Sequence, residues 1–428
     1  MPVASRALLV LVCLAACVTP PDDDPGLELD AGVVADVDAS AGTDTDTDAA
    51  TPPANVEPTA AARPAIAGGA GTQLVVWDTH RNGTTDIYGA RLDANGRVLD
   101  PDGLSIAVAP GTQITPRVAF NGTLFLVVWK DNRAGRASIV GARVRLDGTV
   151  LDPAGVVIAA DGGTTQLPDV ASDGTDFLVV WEGPCAGCVH GVSGATVSGA
   201  GVVGAARRLA PVDALSYTPA VAYSGGTYLV TWAAVNANGD HDVHGRLVSR
   251  SAAPGADVAI AAAPGNQIIP AVAGNGASFF VVWQDTRSGD VQTYGARVAA
   301  TGTVLDGSGL ALSTSGRWHD RPAVVHTTAG YVASWTEPSG ADDVVVCTHL
   351  VGAGGAPSAT SRFFAAASAG GSPLDDDKQL VLAAAGDRVT VAWQTSWEGD
   401  FTVVGARIRA ANEVLAAPAT LSTSLVVP

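Results

Sequence analysis

One pattern of hydrophobic and polar positions recurs seven times along the chain. In residues 116–158, a short apolar run ends at Asn121-Gly122, and a longer apolar run then ends at Trp129. Two further runs, 138–144 and 150–158, flank Asp147-Gly148. Asn-Gly and Asp-Gly supply the positive φ angles of tight hairpins. A continuous apolar run indicates a strand that is buried on both faces. The pattern therefore predicts four antiparallel strands per copy.

A tryptophan ends the second apolar run of every copy. Successive tryptophans are 52, 52, 51, 51, 52 and 58 residues apart. The seven residues are Trp77, Trp129, Trp181, Trp232, Trp283, Trp335 and Trp393. We expect them to fill the space between neighbouring sheets rather than to form a platform for sugar stacking. Six are preceded, thirteen residues earlier, by Pro64, Pro116, Pro168, Pro219, Pro270 and Pro322, and Leu380 takes this place in the last copy.

Seven copies of one unit predict an all-β fold, a seven-bladed β-propeller of four-stranded antiparallel blades in residues 63–428. The expected blades cover residues 63–111, 112–163, 164–214, 215–265, 266–317, 318–373 and 374–428. An open solenoid is the alternative, but it needs polar caps that neither terminal copy resembles. Because the first copy starts with a first strand and the last ends with its own fourth, we expect no blade built from both chain ends. A strand contributed by residues 56–60 is the other option.

Charged residues also recur at fixed places in the unit. Asp131 and Arg133 return as Asp285 and Arg287, and partly as Asp78 and Arg81. The arginine of a Gly-Ala-Arg motif returns as Arg91, Arg143, Arg246, Arg297 and Arg407. Repetition at a fixed phase favours structural clips, in which a guanidinium bonds a nearby carboxylate or carbonyl. A ring of ligand-binding charges is the alternative.

The repeat resembles one found in bacterial exported proteins, of the form LVVWxDxRxGxxxIxGARVxxxGxVLD. It is more loosely similar to the TolB-type propeller repeat, which has an Asp-Arg-x-Gly-x-x-x-Ile-Tyr signature. The resemblance covers nearly all of residues 63–425 and implies the propeller fold. It implies no ligand, because the matching residues recur in every unit.

Residues 1–16 are typical of a signal peptide, because their apolar run, 7–16, is too short to span a bilayer. The run ends in Leu14-Ala15-Ala16-Cys17, which matches the bacterial lipobox. This resemblance implies cleavage before Cys17 and a diacylglycerol on its sulfur. The alternative is an ordinary signal peptide with an incidental cysteine. We expect an exported protein, lipid-anchored in the bacterial cell envelope, with the outer membrane as the favoured destination.

Residues 17–62 follow as an acidic linker with eleven acidic side chains and no lysine or arginine. Such a composition predicts a disordered tether. Because 11 of the 42 acidic and one of the 24 basic residues precede residue 63, the remaining chain has a net charge of −8. Only two lysines exist, so no basic stripe is available for nucleic-acid phosphates. We therefore expect no nucleic-acid partner.

Two cysteines interrupt the pattern in the third unit. Cys185 and Cys188 could form a local disulfide, half of a zinc site or a redox pair. A structural zinc site needs four ligands, and no second cysteine pair exists. A redox motif of the thioredoxin kind needs a helix start in a βαβ unit. In an exported protein the disulfide is favoured. We expect no metal and no cofactor.

Other departures from the repeat fall in connections that precede a first strand or follow a second strand. In a four-stranded blade both kinds emerge on one face of the ring. This rim would hold Trp318, His319, Asp320, Asp375, Asp376, Asp377, Trp397 and Glu398. If a partner binds, we expect it there.

The sequence carries no catalytic motif, since it lacks a P-loop and a complete Gly-x-Ser-x-Gly elbow. We therefore expect a monomeric module that binds an unidentified protein or glycan and is not an enzyme. A purely structural envelope protein is the first alternative. A glycosidase-like propeller, with paired carboxylates from different blades, is the second.

Overall fold

The computed structural model describes residues 61–69, 71–81, 84–160, 166–185, 188–211, 215–313, 320–339, 343–352, 362–366, 380–397, 400–409 and 413–420. These residues form 28 β-strands. Within these ranges no helix is long and apolar enough to cross a membrane. The predicted signal peptide, Cys17 and the acidic tether lie outside the described residues.

The first four sheets each use four consecutive strands. Sheet 1 contains β1 (Ala61–Gly69), β2 (Thr72–Arg81), β3 (Thr84–Asp93) and β4 (Leu104–Ala107). Sheet 2 contains β5 (Gln113–Phe120), β6 (Leu124–Asp131), β7 (Ser138–Arg145) and β8 (Val156–Ala159). Sheet 3 contains β9 (Gln166–Ser172), β10 (Phe177–Cys185), β11 (Cys188–Val197) and β12 (Arg207–Arg208). Sheet 4 contains β13 (Ser216–Ser224), β14 (Thr227–Val235), β15 (His241–Val248) and β16 (Pro254–Ala261).

The remaining strands continue the series in the same order. Sheet 5 contains β17 (Gln267–Gly274), β18 (Ser278–Asp285), β19 (Gln292–Ala299) and β20 (Leu310–Ala311). Sheet 6 contains β21 (Asp320–Thr327), β22 (Gly330–Ser339), β23 (Asp343–Val351) and β24 (Arg362–Ala366). Sheet 7 contains β25 (Leu380–Ala385), β26 (Arg388–Trp397), β27 (Asp400–Arg409) and β28 (Glu413–Thr420). All pairings are antiparallel, which confirms the predicted all-β propeller of four-stranded antiparallel blades.

The sheets are arranged around a common centre by their first strands. Each first strand packs beside the first strand of the next sheet, and β25 packs beside β1. The contact between sheets 7 and 1 is sealed by Thr390, whose hydroxyl donates to Oε1 of Gln73 at 2.6 Å. Below it, Trp77 packs in one apolar cluster with Ala383 and Ala392. The ring therefore closes through side-chain packing, and each described sheet is built from one continuous part of the chain.

The seven tryptophans lie between consecutive sheets. Trp129 shares a cluster with Val76 and Ile87 of sheet 1, and Trp181 shares one with Val128 and Ile139 of sheet 2. All seven side chains are 4% exposed or less. This placement explains the unbroken apolar runs that precede them, because both faces of each second strand are covered by a neighbouring sheet.

Three of the repeated arginines, Arg91, Arg143 and Arg407, join one sheet to the next. Arg143 forms a fork with Asp152 of its own sheet, with Nε 2.8 Å from Oδ2 and an amino nitrogen 2.9 Å from Oδ1. Its other amino nitrogen donates to the carbonyl of Gly199 in sheet 3, at 3.1 Å. Arg91 repeats this arrangement with Asp100 of its own sheet and with the Leu146 carbonyl of sheet 2.

The same inter-sheet bond occurs where the ring closes. Arg407 of sheet 7 donates to the Ala94 carbonyl of sheet 1 at 2.8 Å. The turn that receives it contains Gly96, with φ of +82°, and a Cβ there would lie 2.4 Å from the Arg407 side chain. This turn glycine is therefore required both by its left-handed backbone and by the arginine stacked against it. The interpretation of the Gly-Ala-Arg arginines as structural clips agrees with these contacts.

The glycine of the Gly-Ala-Arg motif has a different reason, which is space. A Cβ on Gly141 would lie 3.1 Å from both the Val127 carbonyl oxygen and Cδ1 of Ile158. Gly89, Gly194, Gly245 and Gly295 meet equivalent atoms in their own sheets. Each of these glycines lies against a carbonyl oxygen of the second strand and an apolar side chain of its own sheet. A side chain at the glycine position would not fit between them.

Two predictions about strand ends were wrong. The first apolar run of this unit starts at Pro116 in the sequence pattern, but β5 begins at Gln113 and the register shifts between Ile114 and Arg117. The proline thus lies in a β-bulge, which tolerates its missing N–H. The fourth strand of sheet 2 is also displaced: β8 is Val156–Ala159 rather than 150–158. Val150 forms only an isolated bridge with Val144, and a second turn, in which the Gly155 N–H donates to the Asp152 carbonyl, separates it from the outer strand.

The Asp131 clip should contribute substantially to stability. The Asp131 side chain is 1% exposed and accepts from Trp129 Nε1 at 2.8 Å and from the Arg133 backbone and side chain. Asp131→Ala would leave the buried indole N–H without its acceptor, so we expect the free energy of unfolding to fall by about 2–3 kcal/mol in urea denaturation. Asp290→Ala, on an exposed turn, is the matched control and should change it by less than about 0.5 kcal/mol. Equal effects of both variants would contradict the assignment of a clip.

Candidate functional site

A cavity of about 250 Å³ lies at the centre of the ring of first strands. Every sheet contributes to its wall, and the contributing residues are those around the repeated proline. Most are proline or aliphatic, for example Ile66, Val118 and Val272. The charged side chains in the wall are Arg117, Asp169 and Arg321. The cavity wall is therefore mixed: aliphatic side chains alternate with polar backbone and a few charges.

The wall is built from six repeated β-bulges with left-handed backbone. The residue before each repeated proline has a positive φ: Arg63 (50°), Thr115 (55°), Leu167 (30°), Thr218 (49°), Ile269 (51°) and Arg321 (39°). None is glycine, so each position is strained, at a cost on the order of 1–3 kcal/mol. Steric conflict with the following proline already disfavours the right-handed helical region there. The strain is compensated by contacts that hold the bulge, two of which are visible in sheets 2 and 4.

Carboxylates of the preceding sheets hold these two bulges. The backbone N–H of Thr115 donates to Oδ2 of Asp78 at 2.9 Å, and that of Thr218 donates to Oε2 of Glu182 at 3.0 Å. Asp78 and Glu182 both directly follow the tryptophan of their unit. Asp78 is therefore the counterpart of Glu182, not of Asp131 as the sequence pattern suggested. Its register is one residue earlier, which turns its side chain to the opposite face of the strand.

The seven sheets differ at the residue that follows the repeated proline. In five sheets this residue is small and apolar: Ala65, Ala220, Ala271, Ala323 and Val381. In sheets 2 and 3, which are neighbours, it is Arg117 and Asp169. The position before the proline varies in the same way, since Arg321 stands where sheets 3 and 5 have Leu167 and Ile269. Sequence analysis missed both differences, although aligning the units on their prolines would have shown them.

Burial works against both of these charges. The pKa of the Arg117 guanidinium is lowered, mainly by burial and also by Arg321 and Arg63, while Asp169 and Asp78 oppose the shift. The pKa of Asp169 is raised by burial, while Arg117 and the backbone N–H of Val221, 2.8 Å from Oδ2, oppose the shift. For a carboxyl whose folded-state pKa is raised, the contribution to stability is fully present below its ordinary pKa. It is lost as the pH rises through the raised value. Arg117 and Asp169 are half-buried, and this burial disfavours the charged form of each.

A second polar group surrounds Glu182 beside the cavity wall. Glu182 is 6% exposed, and its Oε1 lies 3.2 Å from Nδ1 of His190. The His190 ring lies 5.4 Å from the Tyr217 ring, which in turn lies 6.1 Å from that of His241. Burial raises the pKa of Glu182 and, together with Glu182, that of Tyr217. Because Glu182 also holds Thr218, this group fixes the shape of the wall at sheet 4.

The described residues restrict which chemistry fits. No group of three or more potential metal ligands occurs among them. Asp169 is the only carboxylate among the described residues that line the cavity, whereas glycoside hydrolysis uses a pair. Guanidinium groups bind carboxylates and other oxyanions through paired hydrogen bonds. The described wall thus offers recognition of an anionic group beside aliphatic side chains.

Most of the rim residues predicted from the sequence fall outside the described part of the chain. Trp318, His319, Asp375, Asp376, Asp377 and Glu398 lie outside it entirely. Asp320 begins β21 and Trp397 ends β26, but their side chains are not among those described. The existence of one shared rim stays a prediction.

The cysteine pair of sheet 3 is described only by its backbone. Cys185 ends β10, Cys188 begins β11, and the two positions are paired across the hairpin. A disulfide between them stays a prediction, since their side chains lie outside the described set.

Comparisons with known proteins agree with the fold. No protein-family model matches the chain, and no curated protein matches it in sequence. The β-propeller domain of the Trilobed protease from Pyrococcus furiosus, described as having an open velcro topology, has a TM-score of 0.52 at 8% identity. That match covers 86% of this chain and 97% of that domain.

Two further solved structures extend this comparison. The acylaminoacyl peptidase of Pyrococcus horikoshii has a TM-score of 0.50 at 8% identity over 86% of this chain. The match covers 52% of the peptidase, so this chain spans about half of its length. A TolB structure from Agrobacterium tumefaciens has a TM-score of only 0.37, with 16% identity over 58% of this chain and 79% of that one. At such identities the two Pyrococcus structures establish the propeller fold alone.

Arg117 and Asp169 should be energetically coupled to each other without making the fold more stable as a pair. Asp169→Ala alone leaves the Arg117 charge without its nearest compensation, so we expect a loss of roughly 2–3 kcal/mol in urea denaturation. Adding Arg117→Met should recover most of that loss, because an apolar side chain of similar length no longer carries a buried charge. If the stability losses of the two substitutions add instead, Arg117 and Asp169 stabilise the fold as the structural clips do. The loss measured for Asp131→Ala is the reference value for such a clip.

Proposed function

We propose that this protein is an exported, lipid-anchored binding module, in which the propeller holds a protein or glycan partner outside the cytoplasm. The observation that carries the proposal is the charged pair Arg117 and Asp169, in a ring whose other sheets place alanine or valine at the same position. Asp169 also accepts the Val221 N–H of sheet 4, but this bond does not explain why a guanidinium stands at the equivalent position of sheet 2. Sites that break a local rule in this way are commonly functional.

The repeated charges support the same proposal by contrast. Arg91, Arg143 and Arg407 occur at one phase of the unit and connect neighbouring sheets. Arg117 and Asp169 are unique in their phase and line a cavity instead. The first alternative, a purely structural envelope protein, accounts for the first set and leaves the second unexplained. The glycosidase alternative needs a second carboxylate that the described wall does not supply.

The proposed anchor rests on the sequence before the propeller. Acyl chains on Cys17 contribute about 0.8 kcal/mol per buried CH₂, so several chains together hold a protein firmly on a membrane. A flexible linker of the length of residues 17–62 has a root-mean-square span of about 40 Å, and its like charges extend it further. The propeller would act as a monomer that reaches away from the membrane surface, with the outer membrane as its destination.

The anchor can be tested with two neighbouring cysteines. We expect cells grown with an alkyne-labelled fatty acid to incorporate the label into the protein, and Cys17→Ala to abolish both labelling and partition into the detergent phase of Triton X-114. Cys13→Ala, in the apolar run of the signal peptide, is the matched control and should keep both. Retention of the label in Cys17→Ala would reject lipidation at this residue.

The binding role can be tested with the double variant in which both cavity charges are replaced. The full chain should retain a partner when used as bait on solubilised native envelope, and the Arg117→Met/Asp169→Ala variant should lose it. Asp290→Ala should retain it, because Asp290 lies on an exposed turn and does not line the cavity. A partner held equally by all three baits would move the binding surface away from the cavity. Recovery of no partner by any bait would favour the structural alternative.

A further inference from the structure

The charge of the cavity differs in sign from that of the propeller around it. Arg117 interacts electrostatically with two cations, Arg321 and Arg63, and with two anions, Asp169 and Asp78. Arg63 and Asp78 form their own ion pair at 2.9 Å. Among the described residues that line the cavity, the charged ones are Arg117, Arg321 and Asp169, with a net charge of +1. Residues 63–428 carry −8, so the cavity is a local positive site in an acidic protein.

The lining restricts what such an anion can carry. Around the three charges the wall consists of prolines, alanines and the aliphatic side chains of residues such as Ile66, Val118 and Leu382. Among the described lining residues no aromatic ring is present on which a sugar could stack. A sugar has hydroxyl groups on most of its edge, and those facing the aliphatic part of the wall would lack hydrogen-bonding partners, which is unfavourable. An aliphatic group with one carboxylate suits this wall better than a glycan does.

The volume restricts its size. A cavity of roughly 150 Å³ holds benzene, so 250 Å³ accommodates a group of about ten non-hydrogen atoms. Pockets for whole drug-sized ligands are roughly 300–1,000 Å³. The cavity is thus matched to one end of a larger molecule. A valine or leucine residue at the carboxyl end of a polypeptide has this size.

We propose that the central cavity binds the C-terminal carboxylate of a polypeptide that ends in an aliphatic residue. This inference rests on the proposed binding function and specifies its partner as a protein. Arg117 and Arg321, from sheets 2 and 6, donate to the carboxylate oxygens. Asp169, whose Oδ2 already accepts from Val221, accepts the amide N–H of the terminal residue through its remaining acceptor capacity. The terminal side chain lies among the aliphatic residues of the wall.

The test uses small probes on the unaltered protein. Titration calorimetry on the purified full chain should show that N-acetyl-leucine binds with one site per chain. N-acetyl-leucinamide, which lacks only the negative charge, should bind at least about tenfold more weakly. Glucuronate, which has the charge but not the aliphatic group, should also bind at least about tenfold more weakly. Equal binding of the acid and its amide, or tighter binding of glucuronate, would overturn the proposal.

Variants locate the site and separate the two proposals. Arg117→Gln and Arg321→Gln should each weaken N-acetyl-leucine at least about tenfold and change N-acetyl-leucinamide by less than about threefold. Arg145→Gln, on an exposed strand end, should change neither. If either cavity variant fails to fold, the comparison of acid and amide on the unaltered chain still decides. Failure of N-acetyl-leucine to bind, together with cavity-dependent capture of an envelope partner, would reject this inference and leave the binding function standing.

Discussion

The structure depends on the burial of tryptophan between consecutive sheets. Each sheet has two apolar faces and cannot cover either of them by itself. Trp129 fills the space against sheet 1, and Trp77 fills the corresponding space against sheet 7. Because every sheet needs a neighbour on both sides, a row of sheets would leave two apolar faces in water. Closing the ring removes both, which explains why the chain has no polar terminal unit.

Arginine has two distinct roles in this ring. In the Arg91 and Arg143 clips, a half-buried guanidinium joins a carboxylate of its own sheet to a carbonyl of the next, and raised arginine pKa values accompany the pairing with Asp100 and Asp152. In the cavity, burial lowers the pKa of Arg117 instead. The first arrangement favours the charged form and the second opposes it. A protein that keeps an opposed charge gives up stability at that position, as functional sites generally do.

Much of the fold follows from sequence because the repeat states it seven times. The period, the turn dipeptides and the unbroken apolar runs each predict the same four-stranded unit, so an error in one copy is corrected by the others. Strand ends were less accessible. The bulge at Pro116 depends on a left-handed Thr115, and that conformation is fixed by the carboxylate of Asp78, a contact between units. No pattern within one unit contains this information.

The candidate site was hidden for a related reason. Sequence analysis looked for departures in long connections, where polar residues are conspicuous, and named a rim. Arg117 and Asp169 instead replace alanine inside a strand, and each looks ordinary in its own unit. Only the ring places the equivalent positions of all sheets around one cavity. The two residues are 52 positions apart along the chain, but the ring places their strands side by side.

The joints between sheets have a consequence for the history of the chain. Sheets 1 and 2, sheets 2 and 3, and sheets 7 and 1 are joined by the same arginine-to-turn bond, so the joint between the two ends of the chain has the form of an internal one. If recombination copied or deleted a segment of one unit's length, the sheets on either side could still be joined by the same arginine-to-turn bond. Ring size is therefore open to change by gene duplication, and a distinctive pair such as Arg117 and Asp169 can arise in duplicated segments whose neighbours continue to hold the circle.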